Sequence, residues 1–173
     1  MAKKLARLLR YDWPLHFVMV ITAWLPDNVI FIRLRGYLAR PFFKSCGRSL
    51  GIGRNVTFYN PSKLSIGDNV YIAYGCWFSC AMGVRIDDEV LFGPYVVIAS
   101  SNHTRSGESF RYGKPLGDII AIEKGAWVGA HCTITAGSIL GAGSVLAANS
   151  ALAHKSSPNH LVAGTPARDI KAL

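Results

Sequence analysis

Five histidines, His16, His103, His131, His154 and His160, are the side chains of this chain best fitted to move a proton near neutral pH. A zinc centre would need three of them to converge, and the usual His-x4-His pair is absent, with His103, His131 and His154 far apart in sequence. The four cysteines contain no Cys-x-x-Cys pair. Neither a metal ribbon nor a disulfide framework is therefore expected, and free buried thiols suit a reducing cytoplasm. His103 differs from the other histidines in its setting. It stands at the root of the polar stretch SNHTRSGESFRYGKPLGD, residues 101–118, and a long polar excursion from a rigid scaffold is where binding and chemistry concentrate. His16 lies in the apolar N-terminal segment, His131 at a corner of the repeat described next, and His154 and His160 near the C-terminal end.

The scaffold that would position these groups is written as a six-residue grid. Read in blocks of three, the series runs Cys46, Ile52, Phe58; Ile66, Ile72, Phe78; Ile86, Phe92, Ile98; Ile122, Val128, Ile134; Leu140, Leu146, Leu152. All but Cys46 are large and apolar. The residue after each is usually small, as in Gly53, Gly67, Ala73, Gly93, Gly129, Gly141 and Ala147. The third residue after it is often Gly or Asn, as in Asn55, Asn69, Gly75, Gly125, Gly137, Gly143 and Asn149. An inward apolar residue followed by a turn former that tolerates φ > 0 describes one side and one corner of a triangular coil. Coils of this kind stack into a β-solenoid, because no single coil buries its own face. Two corners, Phe58 to Ile66 and Phe78 to Ile86, are two residues larger than the rest. One step, Ile98 to Ile122, spans 24 residues, so a loop leaves the solenoid near Ser101 and returns near Ile120.

Charge is concentrated ahead of the coils. The first 48 residues hold Lys3, Lys4, Arg7, Arg10, Arg33, Arg35, Arg40, Lys44 and Arg48 against Asp12 and Asp27, so +7 of the net +9 lies there. Between these charges run Leu15 to Leu25, Val29 to Ile32, and Phe42 with Phe43. A run closed by Pro26 falls short of the about 20 residues that cross a bilayer. A basic, apolar, proline-interrupted leader is expected to form helices in the interface of an anionic membrane, to cap the open end of the solenoid, or both. No small-residue cleavage site follows the apolar run, so a secretory signal is not expected. The basic residues alternate with aliphatic segments outside any nucleic-acid reader motif, which argues against a nucleic-acid partner.

Taken together, the repeats from Cys46 onward, His103 at the start of the loop, the segment Gly125-Ala-Trp-Val-Gly-Ala130 and the ending Val162-Ala-Gly-Thr-Pro-Ala-Arg168 resemble the hexapeptide-repeat acyltransferases. The likeness is to the branch holding galactoside, maltose and nodulation-factor acetyltransferases and polysaccharide O-acetyltransferases. It covers roughly residues 46–171. The resemblance implies an all-β solenoid, a left-handed parallel β-helix over 46–173. A helical, apolar leader over 1–45 precedes it, and a loop protrudes at about 101–121. It also implies a homotrimer with active sites between subunits, acetyl-CoA as cosubstrate and no metal.

Transfer of acetyl from a thioester to a sugar hydroxyl needs a base for the hydroxyl proton, and His103 is the base the resemblance implies. The pantetheine arm is expected along small corner residues, with Ala130 and Ala148 at the matching positions and Trp127 flanking them. The phosphates of coenzyme A need cations, for which Arg168 and Lys171 match. Relatives commonly carry Thr-Lys where this chain has Ala153-His154, leaving Lys155, one place later, as the replacement cation. Galactoside-type relatives hold the sugar with an asparagine where this chain has Ala73 beside Tyr74. The expected acceptor residues are accordingly Ala73, Tyr74 and Asn102, and a small free galactoside fits less well than a cell-surface polysaccharide sugar or its lipid-linked precursor. The enzyme is expected in the cytoplasm, peripheral on the inner face of the cell membrane. Alternatives are N-acetylation of an amino sugar nucleotide, a zinc hydratase on the same solenoid, and a non-catalytic scaffold.

Overall fold

The computed structural model describes residues 2–173, with side chains from Lys4 onward, so the side chain of Lys3 in the basic leader lies outside the described residues. From Ser45 the chain winds into a left-handed parallel β-helix of triangular section. The first face stacks the strands Ser45–Cys46, Leu64–Ile66, Val84–Ile86, Ile120–Ile122 and Ile139–Leu140. The second face stacks Gly51–Ile52, Tyr71–Ile72, Leu91–Phe92, Trp127–Val128 and Val145–Leu146, and is continued by a terminal antiparallel hairpin, His160–Gly164 with Ala167–Ala172. The third stacks Thr57–Tyr59, Trp77–Ser79, Val97–Ala99, Thr133–Thr135 and Ala151–Leu152.

The fifteen grid residues are the register of this stack. Cys46, Ile66, Ile86, Ile122 and Leu140 pair in one column, as do Ile52, Ile72, Phe92, Val128 and Leu146 in the second. Phe58, Phe78, Ile98, Ile134 and Leu152 make the third. All but the half-buried Cys46 are buried, and the columns form one continuous core. Phe58 stacks on Phe78, which meets Phe92 edge-on. At the corners, Asn55, Asn69, Asn149 and several glycines take the left-handed conformation the repeat predicts. Ser49, Glu89, Tyr95 and His131 take it too, which the repeat does not predict.

Helix α1 (Ala2–Arg7), a π-helical turn (Leu8–Asp12) and α2 (Trp13–Thr22) follow one another without a break, and α3 (Val29–Ala39) starts on an Asn28 cap that accepts from Phe31 N at 3.0 Å. Leu15, Met19, Ala39 and Phe43 join the solenoid core, and Phe43 packs edge-on against Phe58. The leader is therefore a lid on the first coil, one of the two roles expected of it.

That lid is held by arginines. An end coil leaves backbone carbonyls with no neighbouring coil to pair them, and an unpaired edge is costly and sticky. Arg35 donates to Ile52 O at 3.2 Å, Arg40 to Cys46 O at 3.3 Å, and Arg33 to Ser49 O. Arg35 is fully buried and also donates to Leu25 O at 2.5 Å and to Asp27 Oδ1 at 2.7 Å. At Gly36 a Cβ would overlap the Leu50 carbonyl, so α3 approaches the coil as closely as a backbone can.

Candidate active site

The long loop leaves the third face after Val97–Ala99 and is not free at its root. Ser101–Asn102 pairs antiparallel with Leu116–Gly117, Asn102 opposite Leu116. Two residues on, Thr104 Oγ1 donates to Lys114 O at 2.5 Å. His103 thus sits between two cross-links of a short arm, its ring exposed. The close approach requires small residues on the returning strand: a Cβ at Gly117 would overlap Ser100 O, and one at Gly113 would overlap the Thr104 carbonyl. Asn102, next to the histidine, is exposed as well.

The other expected residues gather elsewhere. Ala73-Tyr74, Ala130 and Ala148 all fall on the corner between the second and third faces, in one column, on the second, fourth and fifth coils. Backbone bonds run up this column, Tyr95 N to Tyr74 O at 2.9 Å, His131 N to Pro94 O at 3.0 Å and Asn149 N to Ala130 O at 2.9 Å. Ala73 is buried, Tyr74 and Ala130 half-buried, Ala148 exposed. Small residues are required here: a Cβ at Gly93 would crowd Ala130 N, and one at Gly129 would crowd Ala148 N. The coils therefore approach closely along this strip. Trp127 lies on the second face below this corner, half-exposed.

The same corner carries an aromatic stack that the sequence reading passed over. Tyr95 stacks on His131 at 5.0 Å between ring centroids and meets Tyr74 edge-on at 5.4 Å. Asn55 Nδ2 donates to Tyr74 Oη at 2.6 Å, and the Arg54 guanidinium lies over the Tyr74 ring. The signal was present in the grid: three places after Phe92 and Val128, where other coils place Asn or Gly, stand Tyr95 and His131. Bulky residues in the left-handed region are uncommon and point to a local requirement.

At the C-terminal end, Lys155, Arg168 and Lys171 are all exposed. A bond from Ser157 N to Asp169 Oδ2 (2.9 Å) and a contact of Asp169 with His154 Nε2 (3.3 Å) tie the segment bearing Lys155 to the strand bearing Arg168 and Lys171. The Ser157 amide, and after it His154, hold the Asp169 carboxyl below its ordinary pKa. Burial pushes the Cys76 thiol up to about 11 and the Cys80 thiol to about 12, so neither is a ready nucleophile. Among the described residues no three His, Cys, Asp or Glu side chains converge as a metal set.

Within the chain, then, His103 and the corner strip lie at opposite ends of the third face, separated by Val97–Ala99. A single copy of the chain carries both halves of the expected site without bringing them together.

No protein-family model matches the chain. Its sequence is 28% identical over 142 residues to galactoside O-acetyltransferase of Escherichia coli K12, covering 82% of this chain and 70% of that one. Its fold matches a hexapeptide-repeat acetyltransferase of Vibrio cholerae solved with acetyl coenzyme A, with a TM-score of 0.82, 25% identity, and 94% of this chain and 86% of that chain covered. It also matches a galactoside acetyltransferase solved with coenzyme A, at a TM-score of 0.82 and 26% identity over 93% of this chain and 80% of the other. The likeness runs over most of the chain, in sequence as well as in backbone path, and is to hexapeptide-repeat and galactoside acetyltransferases, which supports O-acetyltransferase chemistry on this fold.

Proposed function

We propose that the chain transfers acetyl from acetyl-CoA to a sugar hydroxyl of a cell-surface polysaccharide or of its lipid-linked precursor, with His103 as the base. The observation that carries the histidine's role is its setting, an exposed imidazole on a loop root pinned on both sides. In the reaction the imidazole takes the hydroxyl proton as the sugar oxygen attacks the thioester carbonyl. The tetrahedral intermediate then collapses with loss of the C–S bond, and the same imidazole returns the proton to the departing thiolate. Pantetheine runs along Ala130 and Ala148 with Trp127 at its side. Lys155, Arg168 and Lys171 meet the phosphates, and Ala73, Tyr74 and Asn102 face the acceptor.

The separation of His103 from the corner strip supports a homotrimer in which one subunit's arm reaches the neighbour's corner. Ala73 in place of a sugar-holding asparagine supports an acceptor other than a small free galactoside. The basic, apolar leader supports work in the cytoplasm at the inner face of the membrane, where lipid-linked saccharides are found. Among the described residues no helix is long and apolar enough to cross a membrane.

His103→Ala tests the reading. The rate constant for acetyl transfer should fall about 10²- to 10⁴-fold, the usual worth of a positioned base, while coenzyme A affinity stays within about twofold. Transfer within a few-fold of wild type would remove His103 from the chemistry.

A further inference from the structure

The leader has two apolar faces, and none of the described residues covers the second. Along the run from α1 to α2, Leu15, Met19 and Thr22 turn inward, whereas Leu9, Trp13, Phe17, Val20, Ile21 and Trp24 are exposed, Trp24 by 78%. Their spacing, at steps of three and four, lays them on one side of the helix. Helix α3 repeats the arrangement. Arg35, Gly36 and Ala39 face the first coil, and Val29, Ile30 and Tyr37 are each about 70% exposed. A helix that is apolar all round belongs between two apolar surroundings. The solenoid supplies one of them.

We propose that the outward faces of α1–α2 and α3 together form a docking surface for a lipid bilayer, with the first coil turned toward the membrane and the coil axis standing on it. The proposal rests on the membrane-working reading above and specifies its contact. Two observations favour lipid over a second copy of the chain. Three of the surface's four exposed aromatic residues, Trp13, Trp24 and Tyr37, carry amphipathic rings suited to the headgroup boundary, and the fourth is Phe17. Exposed cations stand on the same helical run at Lys4 and Arg10, so a self-paired face would set like charges against each other, whereas phospholipid headgroups would neutralise them.

The structure also assigns the driving force. Of the leader's basic residues, Arg33, Arg35 and Arg40 donate to first-coil and leader carbonyls, and Arg7 pairs with Asp12; beyond the leader, Arg48 pairs with Asp68. Much of the positive charge that the sequence assigns to lipid is directed at the protein. Insertion of the apolar face should therefore dominate, with the remaining cations adding a smaller, salt-sensitive part.

Sedimentation of full-length protein with phosphatidylcholine vesicles, with and without phosphatidylglycerol, tests this. Wild type should bind both, more strongly the anionic ones, and should keep most of its binding at 1 M salt, where charge is screened within about 3 Å. The triple variant Trp13→Ser, Phe17→Ser, Trp24→Ser should lose at least about tenfold in partitioning. Its melting temperature should stay within about 4 °C of wild type, since the inward face is untouched. If the triple variant sediments like wild type, this face is not the contact, though a membrane-working enzyme survives. Binding abolished by 1 M salt overturns the apolar driving force. Wild type failing to bind any vesicle at low salt removes the membrane reading as well. Light scattering that shows assemblies larger than a trimer, lost in the triple variant, would give the face to a second copy instead.

Discussion

Replacing Arg35 by methionine should be among the most damaging single changes outside the coils. The side chain is fully buried and donates to Thr22 O, Leu25 O, Ile52 O and Asp27 Oδ1. Methionine fills a similar space but donates nothing. Thr22 O keeps a bond from Leu25 N at 3.2 Å, and Asp27 keeps the Arg54 amide at 3.0 Å. The uncompensated groups are then the Leu25 and Ile52 carbonyls, at about 1–3 kcal/mol each, plus a weakened environment for the Asp27 carboxylate. The two carbonyls together come to about 2–6 kcal/mol, a range centred on the about 3–5 kcal/mol that breaking a buried ion pair costs. For a chain of this size that is a fall of about 6–20 °C in melting temperature. Urea or thermal unfolding at matched protomer concentration reads it, because assembly shifts apparent stability. A second variant, Asp27→Asn combined with Arg35→Met, should recover part of the loss through a coupling of about 0.5–3 kcal/mol. A loss below about 1 kcal/mol for Arg35→Met would mean that water caps the first coil as well as arginine does, and the lid argument would fail.

Gly117→Val should lower acetyl transfer by at least about tenfold while leaving the coil's melting temperature within about 4 °C, because the new side chain pushes the arm's root off Ser100; equal losses of transfer and stability would refute a local effect. Tyr95→Asn should change the melting temperature by less than about 4 °C, since relief of a left-handed tyrosine offsets the lost stacking on His131; a larger fall would make the stack a structural requirement. Asp169 has a folded pKa below the ordinary 3.8, so its contribution is present above that value and lost as pH falls through the lower, folded one. The terminal hairpin should gain hydrogen exchange, relative to the coils, below about pH 4, and uniform exchange across the chain would contradict this. In native protein a thiol reagent should label Cys46 first and spare Cys76, Cys80 and Cys132, with all four reacting in denaturant; rapid native labelling of Cys80 would contradict its burial.

The coils were legible because a β-helix repeats one local decision. An inward apolar residue and a permissive corner three places on recur until Leu152, so register, core and loop insertion all follow from spacing. The setting of His103 was legible for the same reason, as a break in that spacing. The lid was only half legible. Arg33, Arg35 and Arg40 read in sequence as charge for an anionic surface, whereas the structure turns them toward backbone carbonyls that exist only once the first coil has formed. Tyr95 and His131 were missed because a corner rule built on glycine and asparagine leaves an aromatic pair as an exception, and the pairing becomes visible only when two coils are stacked. In the proposed trimer a second copy of the chain would set which corner lies opposite His103, and no single sequence spells that out.

The arm that carries His103 has a consequence for how this scaffold changes over time. Ile86 pairs with Ile122, 36 residues later, and Ile122 with Leu140, 18 later. Remove an arm of 18 residues and the coil closes at the ordinary length with every inward residue in phase. The arm is thus a cassette plugged into a periodic lattice. So long as its two roots stay side by side at Ser101 and Gly117, its length and content are free to drift, recombine or be replaced without asking the core to be solved again. New contacts beyond His103 can be sampled on the cassette while the lattice stays constant.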